Sequence, residues 1–382
     1  MRRGTLAWII ACGTAALAAT VVIALWSTGL LPFTRSPTPE TTDDGPVAED
    51  ILTAEEAATD FLENWVDDDG RVVRRDQGGD TVSEGQAYGL LIALGADDEE
   101  GFESIWRWTQ TNLMRDDGLL AWRWQDGGIV DSEPASDADV DAARALVLAG
   151  THFDRPEFTE AGNSLAGAIM DSMTAPTPLG RILLPGVWAA TGPDYPYNPS
   201  YASPVAFGIL ADSTGDERWT ELVTGGTEVT AALLAKSPLP PDWAQVTAAG
   251  AVNAMPGATG MDQDVRYSYD AARLPIRFAE SCRDEDRQLA AQLVQPLTRG
   301  DQLPAALDLG GTALNTDEHP LAYLARAAAS ASAGDTSTSA EDLDRASRLA
   351  QQYSTYYGAA WTALGRLMLE TDTLGGCPPL DN

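Results

Sequence analysis

Three features of the sequence predict an all-α domain in which helical hairpins close into a toroid. From about residue 50 onward, Ala- and Leu-rich stretches with helical spacing alternate with loops rich in Gly, Pro, Asp and Trp. Alternating β-branched runs between turn residues, the mark of strands, are nearly absent. No strict period of about 20–50 residues connects the helical stretches, which disfavours an open repeat array and favours a closed ring whose longer loops build one face. The helical stretches fall at 54–66, 85–94, 102–112, 138–149, 157–173, 204–213, 219–235, 271–282, 286–297, 319–333, 340–353 and 359–370.

Ahead of them, Arg2 and Arg3 precede an apolar run over 5–26. That run is longer than the ~7–15 residues of a signal-peptide core and close to the ~20 that span a bilayer. We read 1–30 as a signal anchor with its N-terminus cytoplasmic, a long cleavable signal peptide being the alternative. Residues 31–49 are rich in Pro, Thr, Ser and acids and form a disordered linker. This leaves 50–382 as the folded domain, extracellular and either membrane-anchored or secreted.

The 57 acids against 24 Lys plus Arg give a formal charge of −33, which argues against nucleic acid or anionic lipid as a partner and leaves a neutral or cationic polymer. His152 and His319 are the only histidines, so neither a zinc site nor a Ser-His nucleophile is supported. Cys282 and Cys377 suit a disulfide in an exported chain, with two free buried thiols as the alternative.

Three acidic sites open helical stretches. Glu84 lies between Ser83 and Gly85-Gln86 at the mouth of an apolar run. There it is either a dipole-complementing residue beside a Ser83 cap, or a partly desolvated carboxyl kept protonated for use as a general acid. Asp137 and Asp139 open the run to Ala149; an N-cap accounts for one of them. Asp270 has Arg273 one turn on, which is either a plain helical ion pair or a site set among aromatics. Around these acids, Trp122, Trp124, Trp188, Tyr195, Tyr197 and Tyr201 sit in Gly/Pro loops. Flat aromatic faces beside carboxylates and Asn suit pyranose rings, with their apolar faces and hydroxyl rims, and point to a glycosidase.

Six motifs in order, Val82-Ser83-Glu84-Gly85-Gln86-Ala87-Tyr88-Gly89, Leu119-Leu120-Ala121-Trp122-Arg123-Trp124, Ala135-Ser136-Asp137-Ala138-Asp139, Asn198-Pro199-Ser200-Tyr201, Tyr269-Asp270-Ala271-Ala272-Arg273 and Tyr356-Tyr357-Gly358-Ala359-Ala360, resemble glycoside hydrolase family 8. The resemblance implies an (α/α)6 barrel, an inverting mechanism, no cofactor and a β-1,4-linked glucan substrate. By position, Glu84 matches the general acid and Asp270 the general base. Asp137 matches a carboxylate at the cleavage subsite that is either the nucleophile or, with Asp270 as the base, the group that holds and distorts the sugar. Trp122, Trp188, Tyr201, Tyr269 and Arg273 are expected to bind and orient the glucan. The sequence departs from the family at Ala142, in the stretch Val140-Asp141-Ala142-Ala143-Arg144, where a larger apolar residue is usual. Licheninase, chitosanase and xylanase activities are the rivals within the family. Outside enzymes the rival is a non-catalytic, membrane-tethered glucan-binding partner of a polysaccharide synthase. A monomer is expected, with a synthase as its one candidate protein partner.

Overall fold

The computed structural model describes residues 51–261, 264–298 and 302–380; the expected anchor and linker lie outside the described residues. Among the described residues, no helix is long and apolar enough to cross a membrane. In chain order the helices are α1 (Ala54–Trp65), α2 (Ser83–Gly95), α3 (Glu99–Asn112), α4 (Ser136–His152), α5 (Pro156–Ser172), α6 (Pro204–Thr214), α7 (Arg218–Leu234), α8 (Leu274–Ala279), α9 (Asp284–Ala291), α10 (Val294–Leu297), α11 (Pro320–Ser332), α12 (Thr336–Gln352) and α13 (Tyr356–Glu370).

Burial sorts them into two layers. Helices α2, α4, α8, α11 and α13 are buried over nearly their whole circumference, as their Ala, Leu and Gly content requires, and α6 is buried along its first turn. Helices α1, α3, α5, α7, α9 and α12 bury one stripe and expose the rest. The inner helices pack in the order α2, α4, α6, α8, α11, α13, and α13 packs back on α2. The ring is closed, and the fold is an (α/α)6 barrel.

The two kinds of connection differ sharply. Inner-to-outer turns contain three or four residues. Four of them place one residue at left-handed φ: Asp97 (57°), Asp154 (56°), Gly215 (67°) and Gly334 (84°). Outer-to-inner connections are long, except the short turn before α13, and they carry β-structure the sequence reading did not anticipate. One sheet joins β1 (Thr81–Val82), β2 (Arg123–Gln125) and β3 (Gly128–Asp131). A second joins β4 (Thr174–Thr177) to β5 (Gly180–Leu183), and a third joins β6 (Tyr195–Tyr197), β7 (Trp243–Val246) and β8 (Val252–Met255). All are antiparallel, and at two to four residues each they are too short to show an alternating pattern.

Two expected helices are broken by proline. The stretch 271–282 starts as a 3-10 turn, Ala271–Arg273, and α8 begins at Leu274 because Pro275 has no N–H to return to the Ala271 carbonyl. The stretch 286–297 divides into α9 and α10, since Pro296 likewise cannot donate to Gln292.

Three buried ion pairs cross the interior of the ring between α4 and the segment that includes α8. Arg273 donates to Asp137, Arg277 to Asp141 and Arg144 to Glu280, and each pair is 136 residues apart in sequence. A constant offset at steps of four and then three residues means the two segments run parallel with their turns in register. Below the last rung, Cys282 and Cys377 form a disulfide with Cα atoms 5.0 Å apart. The tail it holds supplies the Leu374 carbonyl, which accepts a 2.6 Å hydrogen bond from Arg144 Nη2.

Candidate active site

Because the long connections all lead into inner helices, they gather over the N-terminal ends of those helices. Glu84 sits in the first turn of α2. Val82 is the N-cap and provides no side-chain cap, and the buried Ser83 hydroxyl has no partner, so the expected Ser83 cap is not formed. The turn is held instead by Gln86, whose Oε1 accepts the Val72 N–H at 2.6 Å and whose Nε2 donates to Thr109 Oγ1 at 2.8 Å. Gly85 is required by close approach: a Cβ there would stand 2.9 Å from the Tyr356 hydroxyl. The Glu84 carboxylate therefore faces the cleft, where Oε1 accepts from Arg273 Nη1 at 2.7 Å and from the Tyr88 hydroxyl at 2.5 Å.

Neither acid at the start of α4 is a cap. Asp137 Oδ2 accepts from Arg273 Nη1 at 2.9 Å. Asp139, fully buried, accepts the Leu120 N–H at 2.9 Å and so anchors the loop that carries Trp122. Asp270 lies in the turn ahead of α8 and accepts from Arg273 Nη2 at 2.6 Å. Its position is fixed by Asp242, whose carboxylate accepts the N–H groups of Ser268 (2.7 Å) and Ala271 (3.0 Å) together with the Ser268 hydroxyl.

One guanidinium, 1% exposed, thus binds three carboxylates. A single positive charge cannot balance three negative ones in a desolvated space, so the cluster favours retaining a proton. Burial raises the Glu84 pKa, with Asp137 adding to the shift and Arg273 opposing it. Asp137 is raised in the same way, chiefly by burial, against Arg273 and Arg277. Asp270 is pushed up to about 6 by burial, against Arg273, with Asp242 and Glu84 adding to the rise.

Beside the acids runs a groove of about 540 Å³ lined by Trp122, Trp188, Tyr201 and Trp243, with Asp131 and Glu133 also on its lining. A cavity of about 200 Å³ sharing Trp243 adjoins it and contains Asp242, Asp264, Arg266 and Asp270. Trp122 and Trp188 are 36% and 40% exposed, open enough to stack on a ligand. Tyr201 links groove to acids, its ring lying 5.3 Å from the Arg273 guanidinium carbon. Tyr269 lines neither cavity; its ring belongs to a cluster with His319 and Tyr357. Trp124 and Tyr197 are packing residues: Trp124 stands edge-on to Trp108 at 5.4 Å and Tyr197 is buried. A larger depression of about 690 Å³ lies between the segment that follows α1 and helix α3, shares no residue with this site and holds no aromatic side chain.

The sequence reading missed four residues as site members. Tyr88 lies one turn from Glu84 on the same helix face, and Tyr357 stands in the motif Tyr356-Tyr357-Gly358-Ala359-Ala360, so both were within reach. Trp243 follows the same pattern of a Trp in a Pro-rich loop as Trp188. Asp242 gave no local signal, because its partners lie 26 to 29 residues away.

A closed helical barrel with acids and exposed tryptophans at one end has the form of a glycoside hydrolase, and sequence comparison gives the same class. The sequence pattern of the Glycosyl hydrolases family 8 matches residues 49–371, and the chain belongs to that family. A probable endoglucanase of Novacetimonas hansenii is 32% identical over 328 residues, covering 82% of this chain and 90% of the relative. Among solved structures, an endo-beta-1,4-glucanase from Acetobacter xylinum superposes with a TM-score of 0.70 at 27% identity, over 83% of this chain and 97% of that one. A beta-1,3-1,4-glucanase from Paenibacillus sp. X4 shares the fold, with a TM-score of 0.72 at 18% identity over 82% and 90% of the two chains.

Proposed function

We propose that this glycoside hydrolase is an inverting, endo-acting β-1,4-glucanase. Glu84 protonates the glycosidic oxygen as it leaves. Asp270 takes a proton from a water that attacks the anomeric carbon from the opposite face, and the configuration inverts in one step. Asp137 holds and distorts the sugar at the point of cleavage. Trp122, Trp188, Tyr201, Tyr269 and Arg273 bind and orient the chain.

The observation that carries this reading is Arg273 bridging Glu84, Asp137 and Asp270. Glu84 and Asp270 hold different nitrogens of the guanidinium, so they converge without sharing a position; an inverting pair needs a gap of roughly 6.5–9.5 Å for its water. The names of the relatives support a glucan as substrate. An open groove next to the acids, rather than a closed pocket, suits attack within a polymer. The disulfide supports an oxidising location outside the cytoplasm, where residues 1–30 would tether the domain and a polysaccharide synthase would be a natural neighbour.

The test is a proton NMR time course on a soluble β-glucan, read at the first detectable product. The α anomer is expected, and the β anomer would rule out the inverting assignment. Reducing-sugar release by wild type and Glu84→Gln across cellulose derivatives, lichenan, xylan and chitosan identifies the polymer. Equal inertness of the two proteins on every polymer would favour a binding role over catalysis.

A further inference from the structure

Five of the six inner helices bring a side chain of the site to their N-terminal ends: Glu84 on α2, Asp137 on α4, Tyr201 ahead of α6, Arg273 ahead of α8 and Tyr357 on α13. The sixth, α11, brings His319, its N-cap. The His319 ring stands edge-on to Tyr269, with centroids 5.1 Å apart, and lies tilted against Tyr357 at 5.9 Å. The Tyr357 hydroxyl donates to the Tyr269 carbonyl at 3.2 Å, which ties the three rings together beside Asp270.

The tautomer of His319 follows from its cap. Nδ1 accepts the Leu321 N–H at 3.2 Å, so it carries no proton, and the neutral ring must carry its proton on Nε2. Burial depresses the His319 pKa to about 4, so the ring stays neutral at ordinary working pH. Among the described residues, Nε2 has no hydrogen-bond partner. A fixed neutral donor next to the Tyr269 ring, itself 43% exposed, matches a pyranose that stacks one face and offers hydroxyl oxygens at its rim.

We propose that His319 is a glucan-binding residue whose Nε2–H donates to a sugar hydroxyl held against Tyr269, in a subsite separate from the Trp122 and Trp188 groove. This rests on the glucan reading above. The mechanism does not otherwise use this histidine, and its capping of α11 needs only Nδ1.

The test uses His319→Asn, since Asn is also a favoured N-cap and preserves that role while removing the Nε2 donor. In a Glu84→Gln background, where the ligand binds without turnover, calorimetry with cellohexaose is expected to show about tenfold weaker binding for the double variant. In the wild-type background the same substitution is expected to raise KM about tenfold and leave kcat within about twofold, as loss of uniform binding requires. Unchanged affinity would show that His319 only caps α11 and would overturn the inference alone. No binding by the Glu84→Gln parent would overturn the glucan reading as well. Should His319→Asn lower Tm by more than about 5 °C, His319→Ser, another favoured N-cap that lacks the Nε2 donor, repeats the measurement. Unchanged cellohexaose affinity in that variant overturns the subsite.

Discussion

Asp141 and Arg277 meet through two hydrogen bonds of 2.8 and 2.5 Å, with both side chains sealed from solvent. They form the middle rung of a ladder whose upper rung is Asp137 with Arg273, so the ionic core of the barrel and the proposed reaction centre are continuous. Arg277→Ala leaves Asp141 buried and unpaired and is expected to destabilise the fold by about 3–5 kcal/mol. Replacing both partners with apolar residues of similar volume is expected to recover most of that loss, measured by denaturant unfolding.

Glu84→Gln keeps the shape and the contacts of the side chain but has no proton to give. We expect kcat to fall by about 10²–10⁴-fold while binding of a soluble glucan is retained, checked by initial rates and calorimetry. A variant that lost binding and rate together would point to a structural role instead.

Asp270 carries opposite consequences for activity and stability. Its pKa is raised to about 6, so under the proposed mechanism kcat/KM is expected to rise as pH increases through about 6, where the proposed base becomes ionised, and to fall again at higher pH as Glu84, the proposed acid, loses its proton. For stability the folded pKa lies above the unfolded value of about 3.9, so the folded state binds more protons between about pH 4 and 6 and loses stability as pH rises through that window. Asp270→Asn removes the ionisation. With the carboxylate 33% exposed, the variant is expected to gain about 1–2 kcal/mol over wild type at pH 7 and nothing at pH 4, while losing activity. Thermal unfolding at the two pH values checks it.

Trp188 is 40% exposed at the groove and contributes little to the core. Trp188→Ala is expected to raise KM on polymeric glucan several-fold, with Tm within about two degrees of wild type. An unchanged KM would remove Trp188 from the binding surface.

The disulfide closes a sequence separation of 95 residues. Cys282→Ser is expected to lower stability by about 2–5 kcal/mol, read by denaturant unfolding of the oxidised protein.

What could be read in the sequence follows from how local each signal was. Glu84, Asp137, Asp270 and Arg273 stood out because each lies at the beginning of a helix, within one turn of a recognisable motif. The ring itself was legible through the absence of strand patterns and of a repeat. Asp141 and Arg144 were not, because the stretch around Ala142 drew attention as a packing departure, whereas both charged residues pair across 136 residues of sequence. The small sheets escaped for a related reason: their strands are fixed by partners in other loops, and Trp243 pairs with Met255 only once β7 and β8 come together.

The contact between α13 and α2 also governs when the barrel can form. The inner face of α2 emerges early in synthesis, yet the helix that completes its wall is the last of the ring to be made. Until α13 arrives, the apolar run 90–94 has only part of its covering, so the final folding step depends on contacts between the two ends of the domain. A chain ending before 356 should therefore remain open and protease-sensitive around α2, even though the proposed acid, base and Asp137 would all be present in it.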